Sequence, residues 1–103
     1  MSKIEKRFGL LGKNISYSFS KKYFTEKFDT LGLHHYEYVN YDLDKIEDFN
    51  RKVLKDLGFL GGLNVTIPYK QSIMEYLDEI DQEAMSIGAV NTIKILDDNR
   101  LKG

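Results

Sequence analysis

Apolar and polar positions form short blocks along the chain, and most blocks end at a glycine or in a polar turn. Some blocks are continuously apolar and others alternate residue by residue, and both patterns are typical of strands in a covered sheet. Turn residues 97–99 precede a short final block, which predicts a hairpin. The predicted strands are Phe8–Gly12, His35–Tyr41, Leu60–Ile67, Ala89–Leu96 and a return strand beginning at Leu101.

Between these strands, apolar residues recur at helical spacing. Phe24, Phe28 and Leu31 fall at i, i+4 and i+7 with Gly32 after them, which predicts a helix that Ser18 or Ser20 caps. Three further apolar stripes follow the second and third strands. They predict helices over Ile46–Leu57, with a capping box at Asp44 and Glu47, over Tyr69–Leu77 with Pro68 at its first position, and over Ile80–Ile87 before Gly88.

The order of these elements predicts the fold class. Strands that alternate with helices favour an α/β domain, here a three-layer, mostly parallel β-sheet flanked by helices with a C-terminal β-hairpin. The 103 residues suffice for one domain, 1–103, with a core of its own.

Composition excludes several classes of function. The net charge is −1 and lysines alternate with acids, so no basic face for nucleic acid is expected. The absence of cysteine excludes disulfides and thiol catalysis and predicts a cytoplasmic protein. No apolar run is long enough for a membrane span, and no glycine-rich nucleotide motif occurs.

Acidic residues offer one weak candidate for a metal site. Four carboxylates cluster before the last predicted helix, where they are expected to complement its dipole; a metal site is the less favoured alternative. His34 and His35 would face opposite sides of a strand and would not share a metal. The acids are Asp78, Glu79, Asp81 and Glu83.

A second group of polar residues gathers where predicted strands end. The carboxyl edge of an open α/β sheet is where small molecules bind. Hydroxyls beside a helix start suit a carboxylate, amides suit hydroxyl groups, and a lysine suits proton transfer. Such a set fits a small polyhydroxylated acid, although helix capping and a solvated lysine also explain parts of it. Its members are Ser18, Ser20, Asn64, Thr66, Lys70 and Asn91.

Three sequence segments together resemble the N-terminal, substrate-binding domain of shikimate dehydrogenase. Ser18-Phe19-Ser20 is similar to the SxS element of that family, residues 64–70 match its NVT[IV]P[FY]K motif, and residues 88–92 match its GAVNT motif. The segments occur in the family's order, and the resemblance extends from Phe8 to Gly103. It implies an aminoacid-dehydrogenase-like N-terminal domain.

The resemblance implies a reaction and a set of residue roles. The family's enzyme reduces 3-dehydroshikimate to shikimate with NADPH in aromatic amino-acid biosynthesis. By resemblance, Lys70 is the catalytic lysine, while Ser18 and Ser20 hold the substrate carboxylate. The ring hydroxyls would be contacted by Asn64, Thr66 and Asn91.

The same resemblance implies what this chain lacks. The family's catalytic aspartate would fall just past Gly103, and its C-terminal NADP-binding domain is absent, so residues 1–103 alone are expected to bind no cofactor and to be inactive. Alternatives are a quinate/shikimate dehydrogenase that prefers NAD, and a stand-alone module for shikimate-like acids. A homodimer is possible through the exposed edge strand.

Overall fold

The computed structural model describes residues 4–16 and 19–103 and contains one five-stranded sheet in the order β2-β1-β3-β4-β5. Strands β1, β2 and β3 run parallel, β4 is antiparallel to β3, and β5 is antiparallel to β4. Four of the five strands therefore point the same way, and the α/β class with its terminal hairpin is confirmed. The strands are β1 Lys6–Gly12, β2 Tyr36–Asp42, β3 Leu60–Val65, β4 Thr92–Ile95 and β5 Leu101–Lys102.

In the part of the chain that the structure describes, three α-helices and three short 3-10 segments connect the strands. The helices are α1 Phe19–Thr30, α2 Phe49–Lys52 and α3 Gln82–Ile87. The 3-10 segments are Ile46–Asp48, Leu54–Asp56 and Ser72–Tyr76. None of the helices within the described ranges has the length and apolar character needed to cross a bilayer.

The sheet separates two apolar layers, which gives the three-layer architecture. On one face, Leu10, Ile15 and Tyr38 pack against Phe24 and Phe28 of α1. The larger core lies on the other face, where the segments that follow β2 and β3 cover the sheet. Its fully buried side chains are Leu11, Leu43, Phe49, Val53, Leu60, Ile73, Val90 and Ile93.

The prediction of one continuous α-helix over Ile46–Leu57 is wrong, although the predicted buried face is correct. The segment consists of a 3-10 turn, the single turn of α2 and another 3-10 turn. Phe49 and Val53 are fully buried as the stripe requires. The predicted capping box is not formed, because the cap position falls on Lys45 with no side-chain cap bond seen among the described residues. Residues three apart share a side in both helix types, so apolar spacing over a few residues does not distinguish them.

The predicted helix that begins at Pro68 is also wrong. Residues after β3 form a turn with a cis Ile67–Pro68 peptide, and only a 3-10 segment follows at Ser72–Tyr76. The Lys70 carbonyl accepts the Val90 N–H at 2.8 Å, whereas an α-helix would have bonded it to the N–H of Met74. Lys70 therefore lies in a turn rather than inside a helix.

Two helix ends agree with the sequence. Gly32 has φ +73° and its N–H bonds the Asp29 carbonyl, while the Leu33 N–H bonds the Phe28 carbonyl, which is a Schellman ending. Gly88, at φ +79°, ends α3 by donating to the Ala84 carbonyl. Left-handed backbone of this kind favours glycine.

Two of the four acidic residues near α3 contact the C-terminal hairpin. Asp78 accepts the backbone N–H of Leu101 at 2.8 Å, and Glu79 pairs with Arg100. These contacts hold the segment before α3 against β5. Within residues 4–16 and 19–103, no group of three or more potential metal ligands is found.

Candidate functional site

The segments that carry Lys70 and Asn91 are joined by backbone hydrogen bonds at the carboxyl edge of the sheet. Val65 donates its N–H to the Asn91 carbonyl at 2.7 Å, and Val90 donates to the Lys70 carbonyl at 2.8 Å. Asn91 is exposed and immediately precedes β4, so the prediction that it lies within a strand is wrong. Because β4 is antiparallel to β3, its start still lies beside the end of β3.

Thr66 lies one residue beyond β3 and is held against β1. Its N–H donates to the Leu11 carbonyl at 2.9 Å, and its carbonyl accepts the N–H of Tyr69 at 3.1 Å, which closes the turn around Pro68. A Cβ atom at Gly12 would lie 2.6 Å from the Thr66 methyl group. Glycine at the end of β1 therefore permits the close approach that places Thr66 at this edge.

Buried residues on both sides of Lys70 fix its place in the turn. Tyr69 is 5 % exposed and donates its hydroxyl to the Leu43 carbonyl at 2.5 Å, while Ile73 is fully buried. Burial, together with the nearby carboxylates, raises the pKa of Tyr69, so its hydroxyl remains a donor at neutral pH. The partly buried Lys70 thus projects from a segment that is anchored in the main core.

Asn64 connects the end of β3 to the face of the sheet that α1 covers. It belongs to β3, where it lies beside Leu10 on one side and Thr92 on the other. Its side-chain nitrogen donates a hydrogen bond of 2.9 Å to the hydroxyl of Tyr38. Since the nitrogen and oxygen of an amide diverge from one carbon, the Asn64 carbonyl oxygen points away from Tyr38 and can accept from a ligand hydroxyl.

Tyr38 is a residue that sequence reasoning missed. Its side chain is 4 % exposed and its ring stacks on Phe24 of α1, with centroids 4.7 Å apart and planes inclined by 19°. Its hydroxyl is bonded to both Asn64 and Ser20. Burial raises the pKa of Tyr38 against the opposing effect of these two bonds, so the phenol stays neutral.

The two serine candidates are placed unequally. Ser20 is the second residue of α1, and its side chain bonds the hydroxyl of Tyr38. Ser18 lies outside the described residues. The loop before it is held by Asp42, whose carboxylate accepts the backbone N–H groups of Asn14 and Ile15 at 2.9 and 3.3 Å.

A large apolar groove lies next to this polar edge. Its volume is about 440 Å³, and Asn64 and Tyr38 line it together with residues of α1 and the glycines of β3. Lys70, Thr66 and Asn91 are not among its lining residues. A polyhydroxylated acid gains little from an aromatic surface, so we place the candidate site at the polar edge.

Glycines at the end of β1 do not provide a nucleotide site. A Cβ atom at Gly9 would lie 2.7 Å from the Tyr41 ring, and one at Gly12 would meet the side chains of Thr66 and Ile15 within 3 Å. Protein side chains therefore fill the space beside both glycines. Neither glycine therefore leaves room for the phosphates of a dinucleotide beside it.

The structure places four of the six candidate residues at one edge of the sheet, and the set stays a prediction as a substrate site. The elements bring Asn64, Thr66, Lys70 and Asn91 to one edge, with Ser20 linked to it through Tyr38. Tyr38 falls within the second strand that the sequence predicts, but its role in the site was not predicted. Its partner Asn64 is 26 residues away, and nothing in local spacing indicates that contact.

Comparison with known families identifies a relationship that covers most of the chain. A family model described as "Shikimate dehydrogenase substrate binding domain" matches residues 10–93. A relative from Saccharolobus islandicus, named shikimate dehydrogenase (NADP(+)), is 48 % identical over 88 residues, which is 85 % of this chain and 32 % of the relative. The chain therefore spans about a third of the length of such relatives.

Solved structures show the same fold. A crystal structure of a shikimate dehydrogenase in complex with NADP+ superimposes with a TM-score of 0.83 at 42 % identity, covering 95 % of this chain and 33 % of that one. A shikimate 5-dehydrogenase from Thermus thermophilus, in complex with NADP(H) and shikimate, gives 0.83 at 31 % identity over 95 % of this chain and 36 % of its own.

Proposed function

The chain belongs to the family of shikimate dehydrogenase substrate-binding domains, and we propose that it is the substrate-binding part of an NADP-dependent enzyme that reduces 3-dehydroshikimate to shikimate. Such a reaction serves aromatic amino-acid biosynthesis. A location in the cytoplasm stays a prediction from the absence of cysteine.

One observation carries this proposal: backbone hydrogen bonds join the turn of Lys70 to the segment of Asn91 beside the end of β3. This arrangement gathers a cation, an amide and hydroxyl groups from distant parts of the chain. We assign Ser18 and Ser20 to the substrate carboxylate, because hydroxyls at a helix start bind anions. The ring hydroxyls are assigned to Asn64, Thr66 and Asn91.

Lys70 is assigned to the carbonyl that is reduced. As a carbonyl carbon is reduced, its oxygen gains negative charge and requires a proton or a nearby cation. An ammonium group on a well-anchored turn supplies either one. Preorganisation matters here, since the donor does not have to reorganise as charge develops.

We place NADP in a further domain rather than in this chain. Side chains fill the space beside Gly9 and Gly12, and the sequence has no glycine-rich phosphate loop. In this proposal the 1–103 domain binds and orients the substrate, and moves a proton through Lys70.

Calorimetric titration of residues 1–103 tests the proposal. We expect saturable binding of shikimate, weakened because water still reaches one side of the site, and no binding of NADP under the same conditions. Quinate, titrated in parallel, distinguishes the two substrate preferences within the family. Absence of any heat from shikimate at millimolar concentration would contradict the assignment of the site.

A further inference from the structure

We propose that Tyr38 is a positioning residue of the substrate site, which orients the Asn64 amide and ties Ser20 to the same point. This inference rests on the proposed function for the identity of the ligand. The observation that carries it is the hydroxyl of Tyr38, which bonds Asn64 on β3 and Ser20 on α1.

The three residues come from separate elements. Tyr38 lies on β2, which is not a neighbour of β3, because β1 runs between them. Its side chain reaches across β1 to meet Asn64, while α1 packs over the same face. Together, the bonds of the Tyr38 hydroxyl to Ser20 and to Asn64 connect the helix start, proposed to hold the carboxylate, with the end of β3, proposed to hold the ring hydroxyls.

Packing holds the Tyr38 hydroxyl in place. The residue is 4 % exposed, and its ring stacks on Phe24 at 4.7 Å. A buried, stacked ring of this kind has few rotamers available, so its hydroxyl is a fixed point. Burial also keeps the phenol neutral, since it raises the pKa of Tyr38.

The bond to Tyr38 is made by the side-chain nitrogen of Asn64, which leaves the amide oxygen to face a ligand. An amide nitrogen can only donate, so the phenol oxygen accepts its proton. Rotating the amide by 180° would bring its oxygen to Tyr38 and turn the nitrogen outward. The observed orientation presents an acceptor, which selects ligands that donate a hydroxyl proton at that position.

The test is the substitution Tyr38→Phe in residues 1–103, which keeps the ring stack and removes the hydroxyl. Shikimate affinity, measured by calorimetry, should fall about 5- to 10-fold, which corresponds to the loss of one hydrogen bond. Tyr36→Phe is the matched control, because Tyr36 lies on the same strand and face but packs against Phe8 and Phe28. It should leave shikimate affinity unchanged.

A double-mutant cycle separates positioning from general stability. If Tyr38 acts through Asn64, Tyr38→Phe should lower shikimate affinity much less when Asn64 is already alanine. Equal losses in both backgrounds, or affinity losses that follow a fall in the unfolding midpoint, would overturn the positioning role. Unchanged affinity in Tyr38→Phe would overturn it as well.

A measurement without ligand distinguishes failure of this inference from failure of the proposed function. The side-chain amide protons of Asn64, assigned by ¹⁵N NMR, should shift and exchange faster with water in Tyr38→Phe than in Tyr36→Phe. Identical amide signals in both variants would overturn the proposed orientation of Asn64. If the unsubstituted chain fails to bind shikimate, the proposed function falls, and the amide signals still decide the role of Tyr38.

Discussion

The backbone of Lys70 is held in place independently of its side chain, which suits the proposed catalytic role. Its carbonyl accepts the Val90 N–H, and the neighbouring Tyr69 anchors the turn in the core, so the backbone position does not depend on the lysine side chain. Loss of the ammonium group should therefore affect chemistry more than folding.

We expect Lys70→Ala to lower turnover about 10²- to 10⁴-fold when this domain is joined to its NADP-binding domain, the usual effect of removing a positioned acid–base group. The Michaelis constant and the unfolding midpoint should change much less. Steady-state kinetics with shikimate and NADP measure the effect, and Lys102→Ala, at an exposed position of β5, is the control. Near-normal turnover would return Lys70 to the role of a solvated lysine.

The proposed role of Ser18 and Ser20 in binding the carboxylate can be tested with a ligand that lacks this group. Replacing both Ser18 and Ser20 by alanine should weaken binding of shikimate much more than binding of an analogue whose carboxylate is replaced by a neutral group. If the two serines only stabilise the helix start, the free energy of unfolding should drop by about 1 kcal/mol per lost bond. Affinity for the two ligands should then fall by the same factor. Parallel titrations of the two ligands separate these results.

At the residue scale, local sequence contains most of the proposed site but not its internal contacts. Asn64, Thr66 and Lys70 stand within seven residues of one another, so a strand-to-turn pattern reveals them together. The Tyr38 contact depends on β2 and β3 lying on either side of β1. Such an arrangement follows from how strands pair, which local spacing does not specify.

At the element scale, the segment after β2 is fastened to the sheet by a buried carboxylate. Asp56 is 5 % exposed and accepts hydrogen bonds from Tyr41 at 2.6 Å, Lys55 at 3.0 Å and Arg7 at 2.9 Å. Burial opposes ionisation of Asp56, but these donors outweigh it and lower its pKa. Ionised Asp56 therefore links β1, β2 and the 3-10 segment.

We expect Asp56→Asn to lower the free energy of unfolding by about 2 kcal/mol at pH 7, because bonds to a charged group are lost. Because the native pKa is lowered, the stabilisation is present above the unfolded pKa of about 4 and disappears as pH falls through the native value. Urea unfolding at a series of pH values should show the difference from the unsubstituted protein narrowing in acid.

Asp44→Asn, at an exposed position, is the control for that series. It should have a small effect at every pH. A difference for Asp56→Asn that stays constant between pH 7 and pH 2 would contradict the role of its charge.

At this scale the sequence prediction failed mainly in the type of helix, because 3-10 segments occur where α-helices were predicted. The buried stripe that includes Phe49 and Val53 was predicted correctly, yet the turns around it are mostly 3-10. After Pro68, the Val90 N–H takes the Lys70 carbonyl and Met74 bonds the Gln71 carbonyl instead. Tertiary hydrogen bonds of this kind override the periodicity of a single segment.

At the scale of the whole molecule, residues 1–103 contain two packed layers and should fold independently. Incubated with shikimate and NADP, they should produce no NADPH, because the nucleotide and the remaining catalytic groups are proposed to lie in another domain. An absorbance assay at 340 nm measures this. Steady turnover that depends on the purified chain would contradict the proposed division of the site.

The order of elements along the chain was predictable at this scale, and their lateral order was not. Parallel strands with intervening helices and a final hairpin follow from periodicity and turn residues, and they were predicted. That β1 lies at the centre of the parallel strands, between β2 and β3, does not follow from local periodicity, because it depends on which strands pair.

The central claim is that the carboxyl edge of the sheet binds the substrate, and mapping shikimate by ¹H–¹⁵N NMR on residues 1–103 tests it most directly. Saturable shift changes should be confined to residues 12–20, 64–70 and 88–92, with the amino ends of β1 and β2 around Arg7 and Glu37 unchanged. Lys70→Ala should keep the same map. Shift changes centred on the apolar groove or near Arg7, or no saturable change at any residue, would contradict the account.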